Sequence, residues 1–597
     1  MSQKTGIIST SLFLFRSYEE FIGNKIYLIL SLTIIAVILE GFGFTLLMPL
    51  IESLGGETND SSSIYLDLID DYLLLLGPDY RDESLLLLMC VIFLLKGIFI
   101  FLAGSYKAFL MAEFVRSIKS SMFRGIVGMN YLYYTESTSG HFVNILNTQV
   151  NISIKAFGSF ITMLTQLVMT VVYIIMALIV ALKFGILILL IGSFLLLLFR
   201  SLNAYLNNLS NLIVKQQTIQ SKLSIDFLQS LVYLKSTNQT KKISDKFNNS
   251  ISTLKQFDTT RGVADSFTNS IREPLAVLII LFILYYEVVF IGNPLAPLLV
   301  SILFIYRGLS SANTVQHNFQ MTIDRMGALR SVIDELGALK LNTERDGIIE
   351  KNDFNYCISF QRVSYGYQSE YILQDLNFEI KKNQSVAFVG KSGSGKSTIL
   401  NLITLALEPN KGTIKIDGVD AANLRKSLWR GLVGYVSQES AMFNDTVENN
   451  ITLWQEDANF QEVKERIIRV CKEAHIHDFI MSLPEGYKTN VGDRAIKLSG
   501  GQRQRLFIAR ELFRGPEILI FDEATSALDG KTEVDIQKTL DGLKEKITLI
   551  IVAHRLSTIK NVDNIHVIKD KTIVESGTYQ ELSKNQQSSF KEFLDPS

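Results

Sequence analysis

The sequence predicts two parts: a polytopic α-helical membrane domain with six spans, then an α/β domain built around a phosphate-binding loop. Three observations carry this. Of 597 residues, 48% are hydrophobic, more than a soluble chain of this length needs, and mean hydropathy is +0.23. Six long apolar stretches occupy the first half. The second half alternates short apolar strands with helical patterns around a glycine-rich loop.

Residues 7–22 are short and amphipathic, so 1–22 reads as an interfacial helix ahead of the first span. The apolar stretches lie at about 26–51, 84–104, 157–182, 184–200, 274–291 and 295–313, within a membrane domain of 23–315. Only Lys183 and Phe184 separate the third from the fourth, which implies a tight hairpin. No basic region, short apolar stretch and small-residue cleavage site open the chain, so no removable signal is expected.

The loops set the orientation. Segment 52–83 is acidic, with Arg81 as its only basic residue, whereas 105–156 and 200–262 carry many Lys and Arg. The positive-inside rule puts both termini and those long segments in the cytoplasm. They read as helical, extending the spans beyond the bilayer. In the outer loop, Tyr65, Leu68, Ile69, Tyr72, Leu75 and Leu76 recur at helical spacing, which predicts an external amphipathic helix near 64–76. Packing against span tops is favoured over contact with a transported molecule.

Residues 316–350 read as a linker and 351–597 as the soluble domain. The net charge of −1 offers no basic surface for nucleic acid. Cys90, Cys357 and Cys471 are far apart, which indicates neither a disulfide framework nor a zinc site.

"SVAFVGKSGSGKSTILNLI" is a strand, a glycine-rich loop and a helix start. Gly390, Lys391, Ser392, Gly393, Ser394, Gly395, Lys396 and Ser397 fit GxxxxGK[ST], with Thr398 following. Backbone N–H groups there wrap phosphate oxygens at a helix N-terminus. Lys396 would reach the β- and γ-phosphates of ATP, and Ser397 would hold Mg2+. In "EILIFDEATSALD", Asp522 and Glu523 emerge from an apolar strand. Asp522 can hold the Mg2+ shell, and Glu523 can polarise the attacking water. A chance glycine turn or a mere acidic strand end would explain either motif alone, but not both in this order.

Between them lies "LSGGQRQR", with Ser499, Gly500, Gly501 and Gln502. With it the chain strongly resembles the ABC transporter family, whose signature is LSGGQ. The resemblance implies roles for further residues. Tyr367 is similar to the aromatic residue that stacks on adenine. Gln438 is similar to the Q-loop glutamine that touches Mg2+ and senses the membrane domain. Asp529 belongs to a D-loop-like "SALD", and His554 is similar to the switch histidine at the γ-phosphate. "TNVGDR" departs slightly, with Asp493 where related exporters usually have Glu. Six spans followed by one ATPase domain resemble the half-size exporters of the type IV fold. That implies a homodimer in a bacterial inner membrane, with each nucleotide between one subunit's phosphate loop and the other's LSGGQ. It also implies that 228–237 holds the second coupling helix and 130–142 the first.

Three ionisable groups interrupt the spans. At 1.5 Å per residue, Lys96 and Arg307 lie about 18 Å below the outer ends of spans two and six, and Glu40 about 16 Å below that of span one. Arg272 begins span five, nearer the cytoplasm. An ammonium near mid-bilayer costs roughly 2.5–3.5 kcal/mol on insertion scales. On one reading Glu40 pairs with Lys96, which leaves Arg307 without an acid at its level. On the other, Lys96, Arg272 and Arg307 ring a water-filled cavity suited to an anion. "VILEGFGFTLLMPLI", "IYRGLSSAN" and these cations resemble bacterial flippases of lipid-linked oligosaccharides of the PglK type. That resemblance implies an anionic polyprenyl-pyrophosphate glycan as cargo. The competing expectation is a general exporter of lipids, drugs or peptides with structural charges. A non-transporting ATPase or regulator fits poorly, since the spans, Glu523 and His554 are all present.

Overall fold

Where water is excluded, backbone N–H and C=O groups must pair within the segment, so apolar runs of this length form helices. The computed structural model describes residues 18, 23–55, 81–183, 185–186, 200–292, 294–367, 370–438, 441–455, 460–492, 495, 497–522, 530–552, 556–585 and 588–591. The predicted external helix, the fourth span (apart from 185–186 and 200) and the N-terminal helix (apart from Tyr18) lie outside these residues.

Helices run in the order α1 Lys25–Thr45, α2 Leu47–Gly55, α3 Arg81–Val127, α4 Tyr131–Glu136, α5 Ser139–Asn144, α6 Val150–Val180, α7 Arg200–Gln229, α8 Leu231–Ser236, α9 Thr240–Tyr286, α10 Leu295–Asp324 and α11 Met326–Leu341. Four segments are long and apolar enough to cross a membrane among the described residues: 25–51, 82–127, 139–180 and 295–324. The apolar end of α9 gives a shorter stretch, Val277–Ile291. Two expectations change in detail. Span one is not one continuous helix, because α1 stops before Leu46 and α2 restarts at Leu47. Pro49 explains the break: it has no N–H, its ring opposes the carbonyl four residues back, and it is tolerated in a helix's first turn. Also, α6 stops at Val180, where the capping Ala181 leaves helical geometry (φ −146°, ψ 83°). Lys183 follows that break, and Phe184 lies outside the described residues.

The expected helical extensions of the spans are present. Helices α3 and α9 each have 47 residues, about 70 Å of helix and more than twice a bilayer core. Within 130–142 and 228–237 lie the short helices α4 and α8. Asn130 caps α4, its Oδ1 accepting the Tyr133 N–H at 2.8 Å. The residues divide into a membrane unit (1–126 and 140–338) and a second unit (127–139 and 339–597).

In the membrane unit α10 packs along α6, α1 crosses α6, and α7 pairs with α9. Close approach explains two glycines of α1. A Cβ on Gly41 would meet Met176 at 2.9 Å, and one on Gly43 would meet Phe93 at 2.9 Å. Val37, Tyr173, Ala177, Val300 and Phe304 form the apolar core there. The ring of Tyr18 is buried against Phe114, Phe157 and Phe160.

The second unit holds two sheets. β1 Cys357–Tyr367, β2 Glu370–Lys381, β4 Lys411–Ile416 and β5 Val419–Asp420 form an antiparallel sheet in the order β2-β1-β4-β5. β3 Ser385–Val389, β6 Val433–Val436, β7 Ile518–Asp522, β8 Thr548–Val552, β9 Asn564–Lys569 and β10 Thr572–Gly577 form the other, in the order β10-β9-β3-β8-β7-β6. Its four pairings from β9 to β6 are parallel, with β10 antiparallel at the edge. Parallel strands are covered on both faces, so they read as continuous apolar runs. Accordingly Ala387 and Val389 enter one core and Val386 and Phe388 the other. Helices of the unit include α12 Lys396–Ile403, α13 Lys426–Leu432, α14 Val447–Thr452, α15 Phe460–Glu473, α16 Gly500–Phe513 and α17 Gly530–Leu543.

Candidate functional site

In a parallel α/β sheet, loops at the carboxyl ends of the strands converge on one edge. β3 and β7 flank β8, so the glycine-rich loop after β3 and Asp522 at the end of β7 meet there. Gly393 and Gly395 take φ of +80° and +97°, which side chains resist. A Cβ on Gly390 would lie 2.5 Å from the Ile568 carbonyl oxygen. The loop therefore needs glycine where the sequence has it.

Lys396 is buried, and its ammonium donates to the carbonyls of Gly390 (3.0 Å) and Lys391 (3.1 Å). It is thus held over the loop that its helix opens. Ser397 Oγ lies 3.4 Å from Asp522 Oδ1, bringing together the hydroxyl and carboxylate expected to share Mg2+. The hydroxyl of Ser394 is buried without a hydrogen-bond partner. An orphaned hydroxyl inside an N–H-rich loop fits a phosphate acceptor, and the Ser397–Asp522 pair fits a hard divalent cation. Lys391 and Ser392 are exposed and Thr398 half-buried. The loop opens into a cavity of about 700 Å³ that also involves Tyr371, Ile372 and Lys569.

Two residues near this site were not anticipated. Tyr435 OH donates to Asp522 Oδ2 at 2.9 Å. Burial, then the Asp522 carboxylate, push that phenol far above its ordinary range, and Tyr131 at the start of α4 adds to the shift. The sequence held a faint signal: Tyr435 stands three residues before Gln438 on a strand beside β7. Arg510 is buried in α16, donating to the carbonyls of Ala441 (2.5 Å) and Asn450 (2.5 Å) and to Asn450 Oδ1 (2.8 Å). Burial lowers its guanidinium to about 10. It ties the LSGGQ helix to the chain just after Gln438.

Ser499 caps α16. Its Oγ accepts the Gln502 N–H at 3.3 Å, and Gln502 Oε1 accepts the Ser499 N–H at 2.8 Å. This reciprocal box presents Ser499 and Gly500 at an exposed helix N-terminus, with Gly501 buried behind them. Gln438 is also exposed. The side chain of Tyr367 and the residues Asp493, Glu523, Asp529 and His554 lie outside the described residues.

In the membrane unit, Glu40 on α1 is buried and receives three partners. Lys96 Nζ lies 2.8 Å from Oε1, Arg307 Nε lies 3.5 Å from the same oxygen, and Tyr173 OH donates to Oε2 at 2.5 Å. The expected Glu40–Lys96 pair is present. The expectation that Arg307 lacks an acid is corrected, because Glu40 serves both cations. Side-chain exposure separates them: 15% for Lys96 against 52% for Arg307. The Arg272 side chain lies outside the described residues. Tyr173 was also not anticipated, although a phenol inside an apolar span signals a need for a partner.

Comparison with known proteins agrees with both parts. A family model described as the ABC transporter transmembrane region matches residues 26–312. A second, described as ABC transporter, matches residues 373–526. Among curated relatives, the "ATP-dependent lipid A-core flippase" of Pasteurella multocida is 41% identical over 285 residues, 47% of this chain and 47% of the relative. The Staphylococcus aureus protein named "Putative multidrug export ATP-binding/permease protein" is 48% identical over 231 residues, 39% of each chain. The "ABC transporter B family member 13" of Arabidopsis thaliana is 48% identical over 227 residues, 38% of this chain and 18% of the relative. The match thus spans less than half the length of each of these relatives.

Proposed function

The chain belongs to the ABC transporter family, and on that premise we propose that it is a half-size, ATP-driven exporter or flippase that works as a homodimer. Its cargo is an anionic lipid-linked molecule, with a polyprenyl-pyrophosphate oligosaccharide as the first candidate. The observation that carries the cargo class is the shared carboxylate. Glu40 neutralises one of the two cations beside it, so the described cluster keeps a net positive charge at membrane depth. Arg307 is its exposed member, and a guanidinium fork suits phosphate oxygens. The lipid tail of such a cargo can remain in the bilayer while its head meets the cations. The relative named as a lipid A-core flippase is consistent with a lipid-linked cargo.

In the ATPase domain, Lys396 holds the β- and γ-phosphates and Tyr367 stacks on adenine. Ser397, Asp522 and Gln438 would hold Mg2+, and that ion would supply positive charge to offset the transferring phosphoryl group. Glu523 orients water for in-line attack on the γ-phosphorus as its bond to the β-bridging oxygen breaks. His554 contacts the γ-phosphate. Ser499, Gly500, Gly501, Gln502 and Asp529 complete the partner subunit's nucleotide site. Both termini lie in the cytoplasm, and α4 and α8 couple the ATPase domains to the spans.

Reconstitution in liposomes tests this reading. ATP should drive movement of a fluorescent polyprenyl-pyrophosphate glycan, and Glu523→Gln should not support it. Arg307→Ala should reduce movement in a folded protein, and unchanged movement would remove the cation argument. The buried Lys96–Glu40 contact favours a second reading, a general exporter of lipids, drugs or peptides whose charges are structural. ATPase stimulation by uncharged amphiphiles but not by pyrophosphate lipids would select it.

A further inference from the structure

Helix α12 has eight residues, so its ends lie only about 12 Å apart. One end carries Lys396 and Ser397. The other ends in the carbonyls of Thr404, its C-cap, and Leu405, which takes a positive φ of 55°. Arg430 on α13 grips that second end. Its Nε donates to the Thr404 carbonyl at 3.0 Å and its Nη2 to the Leu405 carbonyl at 2.7 Å. The same guanidinium forks onto Glu344, at 2.8 Å through Nη1 and 2.5 Å through Nη2. A cation here also complements the negative end of the helix dipole.

Glu344 lies on the chain that follows α11, and its backbone is paired in turn. Its N–H donates to the Gly128 carbonyl at 2.9 Å, and the Asn130 N–H donates to the Asn342 carbonyl at 2.8 Å. Met129 and Thr343 form the bridge between these bonds. Asn130 is the residue that caps α4, the helix joining spans two and three. Every link from the phosphate loop to α4 is thus a short hydrogen bond or a rigid element, all within the second unit.

We infer that Arg430 is a positioning residue that couples occupancy of the phosphate loop to the first cytoplasmic helix, acting through Glu344; this rests on the ATP-binding reading above. The planar guanidinium meets two carbonyls and both oxygens of a carboxylate at once, so displacement of α12 moves Glu344 with it. A lysine is a single point charge and cannot hold four acceptors in that arrangement. Coupling is a free-energy difference between two sites, so it can be removed without removing binding at either.

The test uses the full chain in lipid nanodiscs, a non-hydrolysable ATP analogue with Mg2+, and amide hydrogen exchange. In the unsubstituted protein the nucleotide should slow exchange over 390–405 and also over 128–136, the latter by about tenfold, within the usual coupling range. Arg430→Lys and Glu344→Gln should keep the first response and lose most of the second. Glu350→Gln, which alters the neighbouring exposed pair with Arg425, should keep both. Equal responses over 128–136 in all variants would overturn the inference. So would joint loss of both responses in Arg430→Lys and Glu344→Gln, which would make Arg430 a support for the phosphate helix alone. No response over 128–136 in the unsubstituted protein would also overturn it. No protection over 390–405 there would instead remove the ATP-binding reading beneath it.

Discussion

Glu40→Gln is the most informative single substitution. It keeps the shape of the side chain and removes the charge that serves Lys96, Arg307 and Tyr173 at 2.8, 3.5 and 2.5 Å. Removing one partner of a buried pair costs about 3–5 kcal/mol, because the other charge stays behind without compensation. The exposures of 15% for Lys96 and 52% for Arg307 divide that cost unequally. The Arg307 arm is longer and its side chain less enclosed, so it contributes the smaller share. The larger part of the loss therefore falls on Lys96. Lys96→Met should destabilise less, since Glu40 keeps Arg307 and Tyr173, while the double substitution Glu40→Gln/Lys96→Met should recover most of the Glu40→Gln loss. Thermal unfolding of the four proteins in one detergent, at one scan rate, measures this cycle. Additive losses in the double variant, or an unchanged transition in Glu40→Gln, would refute a buried pair.

Three further outcomes are expected. Glu523→Gln should retain ATP–Mg2+ binding while lowering turnover by about 10²–10⁴-fold, checked by nucleotide trapping beside phosphate release. Tyr435→Phe removes the donor to Asp522 Oδ2 and should weaken apparent Mg2+ affinity by about tenfold or more, as loss of a partner to a metal ligand does, read from a Mg2+ titration of ATPase activity. Burial lowers His566 to about 4, so between that value and about 6.5 the unfolded chain binds a proton that the folded one does not. Stability of the ATPase domain should therefore fall as pH drops through this window, by on the order of 3 kcal/mol in total. His566→Phe, placed among Phe378 and Phe388, should flatten the slope in thermal melts from pH 4 to 7.

The nucleotide motor was largely legible in the chain. A GxxxxGK[ST] loop works only after a strand and before a helix, so local order announces it, and the same holds for the apolar run that ends in Asp522. Apolar length likewise marked the spans, because a bilayer imposes a minimum on every crossing. What local pattern could not supply was partnership. Glu40, Lys96 and Arg307 are at equal depth by counting residues, yet counting cannot say which way three helices are rotated. Tyr435 and Arg510 resembled ordinary strand and helix residues until packing set them beside Asp522 and Asn450.

The sequence by itself determined the class of machine: its two parts, its phosphate loop, and the presence of charges inside the membrane. Periodicity and motif spacing are properties of neighbouring residues, and those survive in one dimension. Only the tertiary structure decided that one carboxylate is shared by two cations, and that Arg430 joins the end of the phosphate helix to Glu344, 86 residues away. Such contacts depend on how rigid elements dock, and docking is set by the sum of many weak side-chain fits that no short stretch of sequence contains.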